Sequence, residues 1–495
     1  VPLPAALLLL QTTTTMKHFV LSAALSLTAS ALFAQNAPPV TKHVITPAAI
    51  HQLDSLFHYL DSTGLFNGNI LVAVGGKPVA SAAMGYANLS TKERLTQAST
   101  FEMASVSKQF VAFGVLRLVA NGKLQLDQQL SSVFPELPYK GITIRHLLNH
   151  TSGLPDYMDL LMEHWDKSKI ATNKDVIAML VQYLPEKSFE PGTKWEYSNT
   201  GYAVLASVIE KVSGKSFAGY MQDEVFAPLG LRHTTIYRRR YEPRTIPGYA
   251  YGYVCDSDKV FRLPDEVAQL SFVRFLDGIG GDGSVNTTLG DMLIWDNAVR
   301  DGKLLPAGLW KEAIASPVIN GKKTEYGFGF SLDEKPGTGR VLTHNGGWPG
   351  YITRNDIYLD KDVALIFFNN KEQAQAIVEG TWRAVRNITF GRPFKFPAPL
   401  VQKETTIDTQ LYRLYTGTYE SAEMKGFELI IKSEEGKLIA QATGQNAFEI
   451  KPESANIFFF EGQDIRIEFM RGEDGKEVRK LVLHQNGDHD FLRKM

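Results

Sequence analysis

Cysteine is almost missing from this 495-residue chain, where Cys255 stands alone. A single thiol excludes an internal disulfide and any metal site built on several cysteines. Excess charge is missing too, since 52 Lys and Arg against 53 Asp and Glu leave a net charge of −1. Such a balance carries no electrostatic footprint for nucleic acid or for an anionic membrane surface, so neither is an expected partner. Internal repeats, low-complexity tracts and a Gly-x-Ser-x-Gly run are absent, and the last absence argues against an α/β-hydrolase elbow. The one long apolar run, residues 19–34, follows Met16-Lys17-His18. Its length and small-residue content fit a signal-peptide core better than a membrane span. Residues 1–15 read as translated sequence upstream of a true start at Met16. Residues 16–35 read as the signal peptide and 36–48 as a linker. Export to the periplasm or medium is therefore expected, with no stable membrane span after cleavage.

The remaining composition is that of a soluble globular protein, 44% apolar and 21% charged. Residues 49–391 alternate in character. Strand patterning covers 68–74, turns at Gly75-Gly76-Lys77-Pro78 and continues to Met84. Helical patterning starts after Ala104 and returns at 176–184, 202–212 and 289–299. Strands come back at 326–332, 339–343 and 363–369. Strands at both ends and helices between them predict an α/β layer closed by the two ends of the region, with a helical insertion. Three prolines mark a linker at 392–404. From 405 to 495 short strands follow one another, with an Asn486-Gly487 hairpin turn near the end. That spacing predicts a small β-barrel or sandwich without a catalytic cluster of its own.

The chemistry concentrates in three short motifs. Ser105-Val106-Ser107-Lys108 opens an apolar helical run and is the sole Ser-x-x-Lys match in the chain. Side chains three residues apart share a helix face. A desolvated lysine there can lose its charge and take the serine proton without help from a histidine. Tyr197-Ser198-Asn199 offers a phenol for proton shuttling, provided nearby cations lower its pKa, and an amide to hold a substrate carbonyl. His344-Asn345-Gly346-Gly347 ends the strand-like run 341–343, where glycines allow a main-chain N–H to face a developing oxyanion.

With the three motifs in this order, the chain resembles the serine β-lactamase-like, penicillin-recognising hydrolases. The similar branch contains class C β-lactamases, D,D-peptidases, D-aminopeptidases and lactamase-like esterases. The runs Thr143-Ile144-Arg145-His146-Leu147-Leu148-Asn149-His150-Thr151-Ser152-Gly153-Leu154, Phe226-Ala227-Pro228-Leu229-Gly230-Leu231 and Gly346-Gly347-Trp348-Pro349-Gly350-Tyr351 also look like that branch. The resemblance implies an antiparallel sheet with flanking helices plus a helical subdomain, followed by a lipocalin-like β-barrel. It implies Ser105 as acylated nucleophile, Lys108 as its activator and Tyr197 as proton shuttle. The N–H groups of Ser105 and Gly347 would form the oxyanion hole, and Asn199, His344 and Gly346 would contact substrate. No metal or organic cofactor is expected, and the partner is a small-molecule or peptide substrate. Nothing in the sequence speaks to oligomeric state.

One departure weighs on substrate choice. Relatives of the lactamase type carry Lys-Thr-Gly at the third motif, where this chain has His344-Asn345-Gly346. A histidine is mostly neutral at pH 7 and a weak attractor of carboxylates. Small esters, amides or D-amino-acid peptides are therefore expected ahead of β-lactams. A D,D-peptidase or class C-like lactamase is the enzymatic alternative, and a cell-wall-fragment binding or sensor protein the non-catalytic one. Two mimics are set aside. His146 and His150 stand four apart like zinc ligands but lack an evident third ligand, and Gly214-Lys215-Ser216 resembles the end of a phosphate loop without its first glycine. Asp282-Gly283-Ser284 is expected to be a loop near the site, with no role assigned.

Overall fold

The computed structural model describes residues 42–302, 304–335, 337–399, 402–422, 426–461, 465–472, 477–485 and 488–494. The expected leader and the Asn486-Gly487 turn lie outside the described residues. Helix α1 (Pro47–Ser62) begins two residues inside the expected linker. Thr46 caps it by accepting the Ala49 N–H at 3.1 Å, and Pro47 pre-sets the first turn. Leu53, Leu56, Phe57 and Leu60 then recur on one buried face.

Six strands form the main sheet: β1 (Gly68–Val74), β2 (Lys77–Met84), β3 (Ser331–Lys335), β4 (Gly339–Trp348), β5 (Tyr351–Tyr358) and β6 (Val363–Asn369). Their order is β3-β4-β5-β6-β1-β2, antiparallel throughout. The two ends of the region meet where β1 pairs β6, from Gly68 opposite Asn369 to Val74 opposite Val363. Both strands are buried almost residue for residue, which explains their continuous rather than alternating apolar sequence. Two expectations need correction. Residues 326–330 turn instead of forming strand, and Tyr326 makes only an isolated bridge to Ser331. Strand β4 does not end at Thr343 but runs through His344-Asn345-Gly346-Gly347 to Trp348.

The helices between include α2 (Ser107–Ala120), α3 (Asn199–Ser213) and α4 (Leu289–Asp301). Helix α2 is buried on nearly every side, so it runs through the core. Phe110 on α2 meets Trp295 on α4 with ring centroids 4.3 Å apart. Ser198 caps α3 by accepting the Gly201 N–H at 3.0 Å. Gly214 closes α3 in the left-handed conformation and Ser216 caps the next helix, so the phosphate-loop mimic is two helix ends.

The chain divides into two compact units. One reaches to Glu372 and takes in Thr389–Gly391, and the other comprises Gln373–Ile388 and the chain from Arg392 onward. In the second, eight strands from Gly417–Ser421 to Asp488–Arg493 pair each with the next, and the first with the last, as a closed antiparallel barrel. Its interior is filled by side chains such as Tyr419, Leu429, Ile431, Phe458, Phe469 and Phe491. No helix of the described residues is long and apolar enough to cross a membrane.

Candidate active site

Ser105 lies in the tight turn Ala104–Val106 that enters α2. The turn is anchored from both sides at Met103. Its N–H donates to the Val285 carbonyl at 2.9 Å, and its carbonyl accepts from Thr353 Oγ1 at 2.7 Å. Ala104 is held at φ +45°, a left-handed conformation that costs a side-chain-bearing residue energy and persists only under such clamping. Strand β4 touches this turn at Gly346. A Cβ there would stand 2.3 Å from both Met103 O and Thr353 Oγ1, and 3.2 Å from the Ser105 nitrogen. Only glycine permits that approach. Gly347 follows, exposed, with open space where its side chain would be. The N–H of Ser105 is one of the donors a helix start leaves without an intrahelical partner.

Lys108, the second residue of α2 and one turn on from Ser105, is fully buried. Its Nζ lies 3.1 Å from Ser105 Oγ, 2.9 Å from Asn199 Oδ1 and 2.8 Å from the Asp282 main-chain oxygen. Burial lowers its pKa to about 8, while the negative charges of Asp282 and Asp156 oppose that shift. A neutral amine has two N–H donors and one lone pair. The two carbonyl oxygens take the two donors, so the Ser105 hydroxyl is left to donate to the lone pair. The arrangement is that of a base already bonded to the proton it removes.

Lys108 Nζ sits 4.8 Å from the Tyr197 ring centroid, and Ser105 stands near enough to the Tyr197 hydroxyl to favour its ionised form. Here the structure corrects the sequence reading. Burial dominates and pushes the Tyr197 pKa up, so the residue is a neutral phenol able to pass a proton on, not a phenolate base. Behind it stand His150 at 4.4 Å and His344 at 6.2 Å between ring centroids. His344 is 4% exposed. Its Nδ1 faces the Asn345 carbonyl at 2.7 Å and must donate, so Nε2 accepts from the Tyr326 hydroxyl at 2.9 Å. Burial first, then the charge of Lys108, lowers its pKa to about 3. The histidine is thus neutral, with both nitrogens used inside the fold, and supplies no cation for a carboxylate. His146 and His150 each accept a main-chain N–H at Nδ1, from Thr143 and Ser198, which ties both rings to the main chain.

The structure therefore joins Ser105, Lys108 and Asn199 by direct bonds, places the Tyr197 ring beside Lys108, sets Gly346 against the nucleophile turn, and leaves His344 buried and bonded to Tyr326. Sequence reasoning missed Tyr326 and the partners of Asp282. The Tyr157 hydroxyl donates to Asp282 Oδ2 at 2.8 Å. A signal for the loop was present in its glycines at 278, 280, 281 and 283. At Gly281 φ is +108° and a Cβ would stand 2.3 Å from the Tyr202 carbonyl.

Comparison with known proteins decides the family, since a Beta-lactamase family model matches residues 54–390. The chain belongs to the β-lactamase family. It is 39% identical over 442 residues to Penicillin-binding protein 4* of Bacillus subtilis (strain 168), covering 88% of this chain and 97% of that relative. It is 24% identical over 314 residues to a D-aminopeptidase of Gluconobacter oxydans (strain 621H), covering 62% of this chain and 56% of the relative. The octameric penicillin-binding protein homologue from Pyrococcus abyssi shares the fold. Its TM-score is 0.61 at 19% identity, over 89% of this chain and 99% of that one. This β-lactamase-family protein is a serine hydrolase related to penicillin-binding proteins and D-aminopeptidases.

Proposed function

We propose that this protein hydrolyses small esters, amides or D-amino-acid peptides through an acyl-enzyme on Ser105, after export from the cytoplasm. The observation that carries the reading is the triple contact of Lys108 Nζ with Ser105 Oγ, Asn199 Oδ1 and the Asp282 carbonyl. Neutral Lys108 takes the Ser105 proton as Oγ attacks the substrate carbonyl carbon. The resulting oxyanion is held by the N–H groups of Ser105 and Gly347. The Tyr197 hydroxyl protonates the departing amine or alkoxide and recovers its proton from the Lys108 ammonium. Water then attacks the ester, losing its proton along the same route, and Ser105 leaves protonated. Asn199 and the Gly346–Gly347 edge hold the acyl group, with His344 supporting the site from behind. No step requires a metal or organic cofactor. Export rests on the run at 19–34 behind Met16-Lys17. A lipocalin-like reading of the second unit is supported by its closed eight-stranded barrel. With the interior filled by side chains, that likeness is one of architecture and not of a ligand cup.

A second reading is a penicillin-binding D,D-peptidase. The likeness to Penicillin-binding protein 4* favours it, and the neutral His344 disfavours it. Intact mass followed over time in a penicillin, with Ser105→Ala alongside, separates the two. No adduct and no drug loss, together with turnover of esters or D-peptides, supports the first. A persistent Ser105-dependent adduct supports the second, and rapid drug loss a class C-like lactamase. A folded protein inert to all three substrate classes overturns the acyl-enzyme reading.

A further inference from the structure

The Asp282 loop does more than pass near the site. Asp282 is 8% exposed and meets the catalytic amine twice, once through its main chain and once through its charge. The main-chain oxygen takes a Lys108 N–H at 2.8 Å. The carboxylate is held by the Tyr157 hydroxyl at 2.8 Å; burial raises its pKa, and the Lys108 charge and the Tyr157 bond oppose that rise. Tyr157 is itself fixed, since its N–H donates to Thr200 Oγ1 at 2.8 Å just after Asn199 opens α3. One hydrogen-bonded chain therefore links the carboxylate to the segment that carries the other lysine partner.

Resting on the reading of Lys108 as the base, we propose that Asp282 is its positioning residue: the main-chain oxygen aims the amine at Ser105 and the Tyr157-held carboxylate limits how far burial weakens that amine as a base. Two opposed demands explain why such a group is needed. Burial strips charge from the lysine and makes a neutral base available near pH 7, but unopposed it also makes that base too weak to deprotonate an alcohol. A fixed negative charge restores proton affinity without giving the lysine a carboxylate to pair with directly. The other groups facing Lys108 do not supply this. His150 and His344 have lowered pKa values and are neutral around pH 7. Tyr157, Tyr197 and Tyr202 have raised ones and are neutral too. Asp156, next to Tyr157, adds a second negative charge, its own pKa raised to about 6 by burial first and by the charges of Asp159 and Asp282.

The test is the pH dependence of burst acylation by a p-nitrophenyl ester, for the wild-type chain, Asp282→Asn and Tyr157→Phe. Circular dichroism accompanies each, and Ser105→Ala serves as the blank. Asp282→Asn keeps the main-chain contact and removes the charge. Its acid limb is expected about one pH unit below that of wild type, with a lower plateau, so the variant-to-wild-type ratio rises about tenfold as pH falls from 9 to 6.5. Tyr157→Phe moves the limb the same way by less, and decides the matter alone if Asp282→Asn does not fold. Limbs that superimpose on wild type, whatever the plateau, overturn the proposal. Absence of a Ser105-dependent burst in the wild-type chain instead overturns the acyl-enzyme reading on which it rests.

Discussion

The two units of this protein bury polar groups very differently. In the first, Lys108, His150, His344 and Asp282 are all buried within one small region. In the second, tyrosines apart, the buried polar residues among the described ones are Thr381 and Ser421, and neither is charged. Its interior tyrosines spend their hydroxyls on main-chain oxygens, as Tyr419 does on Tyr415 at 2.8 Å, and its charges pair at the surface, as Lys480 does with Asp490 at 2.8 Å. Burying a charge is unfavourable unless it is bonded and paired. A fold that concentrates such groups in one place and excludes them from another has separated reactivity from stability. The first unit holds a lysine whose pKa is displaced by burial, and the second has the packed interior of an ordinary small domain.

Substitutions sharpen that contrast. Ser105→Ala is expected to lower ester turnover about 10³-fold or more while leaving the fold intact, measured by steady-state rates and circular dichroism. Phe458→Ala, which empties a fully buried barrel position, is expected to cost about 3–5 kcal/mol in denaturant unfolding of that unit. It should leave the pH of the Ser105 acylation limb unmoved. If it moves the limb, the separation is false. In the wild-type chain the acylation rate is expected to climb with pH and level off above about 8, because Lys108 acts only when deprotonated. The fraction ready at pH 7 is about one tenth. Tyr326→Phe leaves His344 Nε2 without its donor and is expected to cost about 1–3 kcal/mol of stability, read from thermal melts, with a smaller loss of rate. Removing the barrel-surface pair Arg466–Glu453, 2.7 Å apart, should change stability by under about 1 kcal/mol in the same assay.

How much of this was legible in the sequence follows from how local each signal is. The β1–β2 hairpin and β6 announce themselves as short apolar runs, and Ser105 and Lys108 are three residues apart across the start of one helix. Helix α1 carried its signal in Thr46-Pro47 and the spacing of Leu53, Leu56, Phe57 and Leu60, but the proline-rich stretch before it masked the start. The extension of β4 through two glycines could not be read, because glycine usually ends a strand. It persists here since β4 must lie against the Met103 carbonyl, a contact made across hundreds of residues. The direction of the Tyr197 shift was equally hidden, since it depends on whether burial or the neighbouring cation prevails. The Asp282 loop could be placed near the site from the sequence, but its contact with Lys108, and that of Tyr326 with His344, become visible only when the distant segments fold together.

The most direct test of the account is peptide mapping of the acyl-enzyme trapped by acid quench during turnover of a p-nitrophenyl ester. An ester-linked acyl group on Ser105 is expected, absent from Ser105→Ala and reduced at least about tenfold in Lys108→Ala. Acyl label on another residue, or undiminished labelling of Ser105 without Lys108, would contradict it.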